Sequence, residues 1–234
     1  MHRDTFVDFA CLSWNLNEYL RPPKERRESH ECVVAVISDF YAQNEKQDMV
    51  LSFQGVSNET YTSLKRRLVD TYDTCVTFHF TPHRSQDEPT ESDRVFGNVI
   101  ILLTQAGRST AGGGIRKIHC DSYDLSDPSG AVASLRLWTA NNTLIEIIGI
   151  HLSPDNVAHT TQLERILDES TSDILIIAGV TNTSSFVFSG CEGHSPLSFP
   201  SVKPTLAVSD MWVRGRAVQH KTEVLRILFI EVSN

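Results

Sequence analysis

The chain has 234 residues, 40% of them hydrophobic and 21% charged, which suits one domain with a large core and excludes a disordered or fibrous class. Its net charge of −8 gives nucleic acid binding no support from the molecule as a whole, because phosphate contacts dominate that affinity. No apolar run approaches the roughly 18 residues of a membrane-spanning helix, and the opening Met1-His2-Arg3-Asp4-Thr5 lacks a secretory pattern, so no membrane partner is expected.

Phe6 to Leu16 reads as a strand whose end carries Trp14-Asn15. From Ser29 to Gln43, Val33, Val36, Ile37, Phe40 and Tyr41 recur at helical spacing and form one apolar stripe. Asp48 to Val56 is a second strand, and Asn58 to Val69 a short helix with Tyr61, Leu64 and Leu68 on one face. Cys75 to Phe80 is a strand, while residues 81–94, with prolines and many acidic groups, read as a loop. Phe96 to Thr104 is a strand, and residues 106–114, rich in Gly, Ser and Thr, a flexible connection.

Ala131 to Thr139 and Thr143 to His151 flank Asn141-Asn142, a two-residue hairpin signal. Val157 to Glu169 reads as a helix and Ile174 to Ala178 as a buried strand. Residues 183–205 form a long loop rich in Ser, Gly and Pro, and Leu225 to Val232 is the last strand. Hairpins mixed with single helices, without linker or repeat, predict one α/β domain over residues 1–234. Its architecture is two mixed β-sheets packed face to face with helices outside, a four-layer α/β sandwich.

Five widely scattered cysteines fit free thiols in a reducing compartment, so an intracellular location, nuclear or cytoplasmic, is expected. The short basic clusters Lys24-Glu25-Arg26-Arg27, Lys65-Arg66-Arg67 and Arg214 with Arg216 read as solvated faces. His79 and His83 stand at i,i+4, but Pro82 breaks the helix that would align their rings, so a chance pair is expected rather than a zinc site. Gly112-Gly113-Gly114 lacks the Lys-Ser/Thr of a P-loop and reads as a turn. Ser13, Ser153 and His151 contain the residue types of a nucleophile pair, without a Gly-x-Ser-x-Gly elbow to support one.

Four segments place polar groups just past the end of an apolar strand, where different strands converge in a crevice. They are Leu12-Ser13-Trp14-Asn15-Leu16, Met49-Val50-Leu51-Ser52-Phe53-Gln54-Gly55-Val56, Ile148-Gly149-Ile150-His151-Leu152-Ser153 and Ala178-Gly179-Val180-Thr181-Asn182. Taken singly, Asn15 reads as a turn residue and His151 as a satisfied strand-end histidine.

In this order the four segments resemble the endonuclease/exonuclease/phosphatase superfamily, whose metal-dependent phosphodiesterases carry Gly-Asp-Thr-Asn or Gly-Asp-Phe-Asn where this chain has Gly179-Val180-Thr181-Asn182. Within it the chain is most similar to the tyrosyl-DNA phosphodiesterase 2 branch. Asp48 to Val56 with Tyr61 to Arg67 carries that similarity, as do Ala178 to Asn182 with Cys191-Glu192-Gly193, and Val208 to Trp212 with Leu225 to Ile230. The similarity runs from about Asp8 to about Val232.

The resemblance implies a mechanism in which a Glu holds Mg²⁺, an Asp orients or deprotonates the attacking water, and a late Ser-Asp-His stabilises charge on phosphorus. It implies phosphate contacts from Asn15, His151 and Asn182, with Ser153 beside them. The charged positions are degenerate: Gly55 stands in place of the metal-binding Glu, Val180 in place of the catalytic Asp and Leu228 in place of a further Asp. The chain as given stops at Asn234, before any Ser-Asp-His segment, so the domain reads as short at its C-terminus with the last strand or strands missing.

No intact catalytic residue, no metal site and no cofactor are therefore expected. The expected function is that of a degenerate relative, related to DNA repair enzymes by resemblance, which binds a protein partner or a phosphate-bearing ligand. An edge-strand dimer through the last strand is expected as one mode of association. The alternative is a weak metal-dependent phosphodiesterase or nuclease that uses Mg²⁺ with a displaced carboxylate, Asp39, Glu18 or Asp155.

Overall fold

Apolar runs of β-branched and aliphatic residues build the centre of the molecule, because only paired strands bury their main chain and both side-chain faces together. The structure, a computed structural model, describes residues 9–16, 23–44, 47–72, 75–82, 95–104, 115–123, 131–139, 142–151, 161, 164–166, 168–180, 192–194, 210–215 and 229–231. In chain order these form β1 (Phe9–Asn15), α1 (Pro23–Gln43), β2 (Asp48–Ser57), α2 (Asn58–Thr71), β3 (Cys75–Pro82), β4 (Phe96–Thr104) and β5 (Ile115–Tyr123). There follow β6 (Ala131–Thr139), β7 (Leu144–His151), β8 (Ile174–Val180), β9 (Glu192–His194), β10 (Asp210–Gly215) and β11 (Phe229–Glu231).

Two mixed sheets result, as the sequence predicts: a five-stranded sheet of order β11-β1-β2-β4-β3 and a six-stranded sheet of order β5-β6-β7-β8-β10-β9. Each has a parallel pair inside it, β1 with β2 and β7 with β8. α1 makes the crossover that the parallel β1–β2 pair requires. Residues 161, 164–166 and 168–169, which lie between β7 and β8, are helical.

Strand alternation divides the core into two layers. On the outer face of the first sheet, Leu12, Trp14, Leu51, Phe53, Ile101 and Leu103 meet Val33, Ile37 and Phe40 of α1 and Leu64 and Leu68 of α2. On its inner face, Cys11, Val50, Ile100 and Leu102 meet Ala133, Leu135, Leu137, Ile145, Ile147, Ile176 and Ala178 of the second sheet. The Cys11 thiol lies in this inner layer, and burial pushes its pKa up to about 12. α2 starts sharply because Ser57 Oγ accepts the Thr60 N–H at 3.2 Å, and it stops where Tyr72 turns extended.

Several elements differ from the sequence reading. α1 begins at Pro23 rather than Ser29, since proline in a first helical turn forfeits no hydrogen bond. β3 runs on through Thr81-Pro82, residues assigned to a loop; β3 is the edge of its sheet, where a proline without an N–H is tolerated. β5 and β10 are strands the periodicity does not reveal, and β9 lies inside the predicted 183–205 loop. The β6–β7 turn is closed by Thr139 N–H to Thr143 O at 3.0 Å, with Asn142 at φ 62°, so it holds three residues rather than two. Of the last strand the described part, Phe229–Glu231, lies parallel to β1 at the margin of the first sheet.

The outer face of the second sheet carries a buried ion pair. Glu146 is 1% exposed and accepts Arg136 Nε at 2.9 Å and Ser134 Oγ at 3.0 Å. Tyr123 OH and Ser170 Oγ also donate to it. The pair joins β5, β6 and β7 to the segment before β8. Removing one partner of such a pair strands a buried charge, so Arg136→Ala is expected to lower unfolding free energy by about 3 kcal/mol in urea titrations. Arg67→Ala, which breaks the exposed 2.9 Å pair with Glu31, is expected to cost about 1 kcal/mol or less in the same assay.

Candidate functional site

The inner layer changes character along the strands, and that change marks the site. On β1 the inward residues run Cys11, Ser13, Asn15; on β2, Val50, Ser52, Gln54; on β7, Ile145, Ile147, Gly149, His151. Each series passes from apolar to polar toward the strand's C-terminal end. β4 runs the other way and places Asn98, near its start, at the same end. The apolar halves pack into one cluster. At the boundary a Cβ on Gly149 would lie only 3.0 Å from Ser52 Oγ. The polar halves of both sheets therefore share one end of the sandwich.

Asn15 and Gln54 are register partners on β1 and β2, and His151 and Val180 on β7 and β8. Asn15 is 6% exposed and His151 7%. Gln54 is fully buried, and its Nε2 donates to Ser52 Oγ at 3.0 Å, Ser52 O at 3.2 Å and Ser13 Oγ at 3.4 Å. Among the described residues its Oε1 has no hydrogen-bond partner. Leu16 N–H donates to Gln54 O at 2.9 Å and carries the pairing one residue past β1.

Two glycines hold special backbone here. Gly55 has φ 64°, and the β2–β4 register shifts between Phe53 and Val56, so a bulge with a left-handed glycine sits at the end of β2. Gly179 has φ 144°, and a Cβ there would stand 2.0 Å from Ile150 O. The residue before Val180 must therefore be glycine for β8 to lie against β7.

Of the residues singled out from the sequence, Asn15, Gly55, His151 and Val180 are brought to this end. Ser153, Asn182 and Leu228 lie outside the described residues, as do Glu18 and Asp155. Asp39 is exposed on α1, whose buried side faces the outer layer, so it lies away from the inter-sheet end. Asp48 is at the opposite end of β2.

Two carboxylate-bearing residues not named as site candidates from the sequence take register positions at this end. Asp210 of β10 is opposite Gly179, and Glu231 of β11 is opposite Ser13. The signal for both lies in strand order, which local pattern does not carry.

Among the described side chains of β1, β2, β4 and β7, those at this end are hydroxyls, amides and one imidazole. Mg²⁺ is a hard cation that favours carboxylate oxygen, and Gly55 and Val180 offer it no side-chain oxygen. Among the described residues no group of three or more His, Cys, Asp or Glu is placed to hold a metal ion. No described helix is long and apolar enough to cross a membrane.

No protein-family model and no curated protein matches the sequence. Solved structures do match the fold. TDP2 of D. rerio, solved with a single-strand DNA product, superposes with a TM-score of 0.56 at 14% identity, over 92% of this chain and 86% of that one. The human Nocturnin catalytic domain, solved with a sulfate anion, gives 0.51 at 14% identity over 86% and 80%. An endonuclease/exonuclease/phosphatase protein of Bacteroides vulgatus gives 0.52 at 9% identity over 88% and 86%.

Left-handed backbone costs a residue with a Cβ about 1–2 kcal/mol, so Gly55→Ala is expected to lower stability by that amount. Gly179→Ala, where the clash is with main chain, is expected to cost more and to lower the melting temperature further. Differential scanning calorimetry of the two variants checks both the size and the order.

Proposed function

We propose, because this chain has the endonuclease/exonuclease/phosphatase fold, that it is a catalytically degenerate relative of Mg²⁺-dependent 5′-tyrosyl-DNA phosphodiesterases that acts as a binding or interaction protein. Its ligand is a protein partner or a phosphate-bearing group met by Asn15, His151, Ser153 and Asn182. The observation that carries this reading is Gly55. The position of the metal-binding Glu is occupied by a residue without a side chain, in a backbone conformation that side chains rarely adopt. Restoring the carboxylate alone would therefore not restore its aim.

The chemistry supports the same reading. Loss of a proton-transfer group costs on the order of 10² to 10⁴ in rate, and loss of the metal removes both nucleophile generation and Lewis-acid stabilisation. Val180 and Leu228 replace two further acids. The parts of such a centre act as a unit, so one surviving histidine and amides retain binding geometry without the reaction. A protein partner pairing along the β11 margin, an intracellular setting and a role beside DNA repair belong to the same proposal.

A second reading is favoured by one observation. Asp210 and Glu231 hold register positions at the polar end, where carboxylates displaced along the chain would serve a weak metal-dependent phosphodiesterase. Titration of the full chain with millimolar MgCl2 and MnCl2 in a calorimeter, beside a 5′-tyrosyl oligonucleotide release assay, separates the two. The proposal predicts no saturable heat and no release. Mg²⁺-dependent release that is lost in Asn15→Ala would overturn it, and loss in Asp210→Asn or Glu231→Gln would establish the second reading.

A further inference from the structure

Beside that end, the two margins of the sandwich meet along β3 and β5, edge strands of the two sheets, where Thr81 is the register partner of Asn98. There His79 Nε2 lies 3.0 Å from Ser122 Oγ. Thr81 Oγ1 is 2.9 Å from the same Ser122 oxygen and 3.1 Å from the same His79 nitrogen. Three chemically active groups from two sheets thus form a closed triangle. Ser122 is exposed, His79 is half-buried, and Thr81 is buried beneath them. The triangle is two strands, roughly 10 Å, from Gln54, on the flank of the polar end next to Asn98.

We propose that Ser122 and His79 form a nucleophile–base pair that accepts acyl groups from activated carboxylic esters, with Thr81 as the donor beside the reacting oxygen. The geometry meets the requirements of such a pair. A base lies at hydrogen-bond distance from the hydroxyl it must deprotonate. A neutral imidazole offers one ring nitrogen as a lone pair. Burial lowers the pKa of His79 below its ordinary value, so the ring is the free base at neutral pH. The nucleophile, in turn, is open to solvent.

The reaction balances within these groups and water. As Ser122 Oγ bonds to the acyl carbon, its proton passes to His79. The ester C–O bond breaks, and His79 returns the proton to the departing alcohol or phenol. The hydroxyl of Thr81 donates toward the oxyanion that forms in between. Water, deprotonated by the same ring, then cleaves the acyl–Ser122 bond, releases the carboxylic acid and restores the hydroxyl.

The test uses the full chain with diisopropyl fluorophosphate, read by intact mass and peptide mapping, beside hydrolysis of p-nitrophenyl acetate across pH. The expected result is a single adduct on Ser122 and a rate that rises as His79 loses its proton, levelling off by about neutral pH. Ser122→Ala abolishes the adduct. His79→Gln slows labelling and hydrolysis on the order of 10²-fold or more. Ser122 is exposed, so its variant should melt with the parent chain, and a matched melt together with lost labelling assigns the loss to chemistry. An adduct elsewhere, no adduct at all, or undiminished labelling in a folded His79→Gln chain would overturn the proposal.

Discussion

The close approach of the two sheets at Ser52 and Gly149 governs the rest of the molecule. Their inner faces are held together by Cys11, Val50, Ile100, Ile147, Ile176 and Ala178. Full burial of a large aliphatic side chain contributes about 1.5–3 kcal/mol. At the end of that layer any Cβ on Gly149 would already press on Ser52 Oγ at 3.0 Å. A side chain larger than hydrogen at Gly149 would therefore force Ser52 or the sheets to shift there. Gly179 adds a second constraint of the same kind, since only glycine lets β8 lie against the Ile150 carbonyl.

Burial makes the identity of the polar groups at that end consequential. Carboxylates packed together in such a place repel one another and lose hydration unless a cation offsets them. The described inward residues at this end, Ser13, Asn15, Ser52, Gln54, Asn98 and His151, carry hydroxyl, amide or imidazole groups. Gly55 and Val180, at the same end, add no charge to that set. One charged pair of the second sheet lies elsewhere: Glu146 is neutralised by Arg136 on the outer face, with hydroxyls completing its hydrogen bonds.

Much of this was legible in the sequence, for physical reasons that differ by element. β2, β7 and β8 announce themselves as short apolar runs because both their faces are buried. α2 is legible from Tyr61, Leu64 and Leu68, which fall on one face. β5 escapes notice because its inward residues Ile118, Cys120 and Ser122 form a weak apolar face at a sheet margin, between polar residues that face out. β9 is only three residues long and is defined by its pairing with β10. The strand-end positions of Asn15 and His151 are local facts and were readable. The positions of Asp210 and Glu231 depend on which strands become neighbours, and the His79–Ser122 contact joins residues 43 apart in sequence. Neither leaves a trace in composition or periodicity.

The central claim is that the polar end of the sandwich has kept its shape and lost its cation. Paramagnetic Mn²⁺ added to isotope-labelled protein tests it at the residues concerned, because the ion broadens only the amide signals near its binding site. The account predicts that the signals of Asn15, Gly55 and His151 broaden no more than those of exposed surface residues as Mn²⁺ is raised. Selective, saturable broadening of those three at low Mn²⁺, reversed by Mg²⁺, would contradict it.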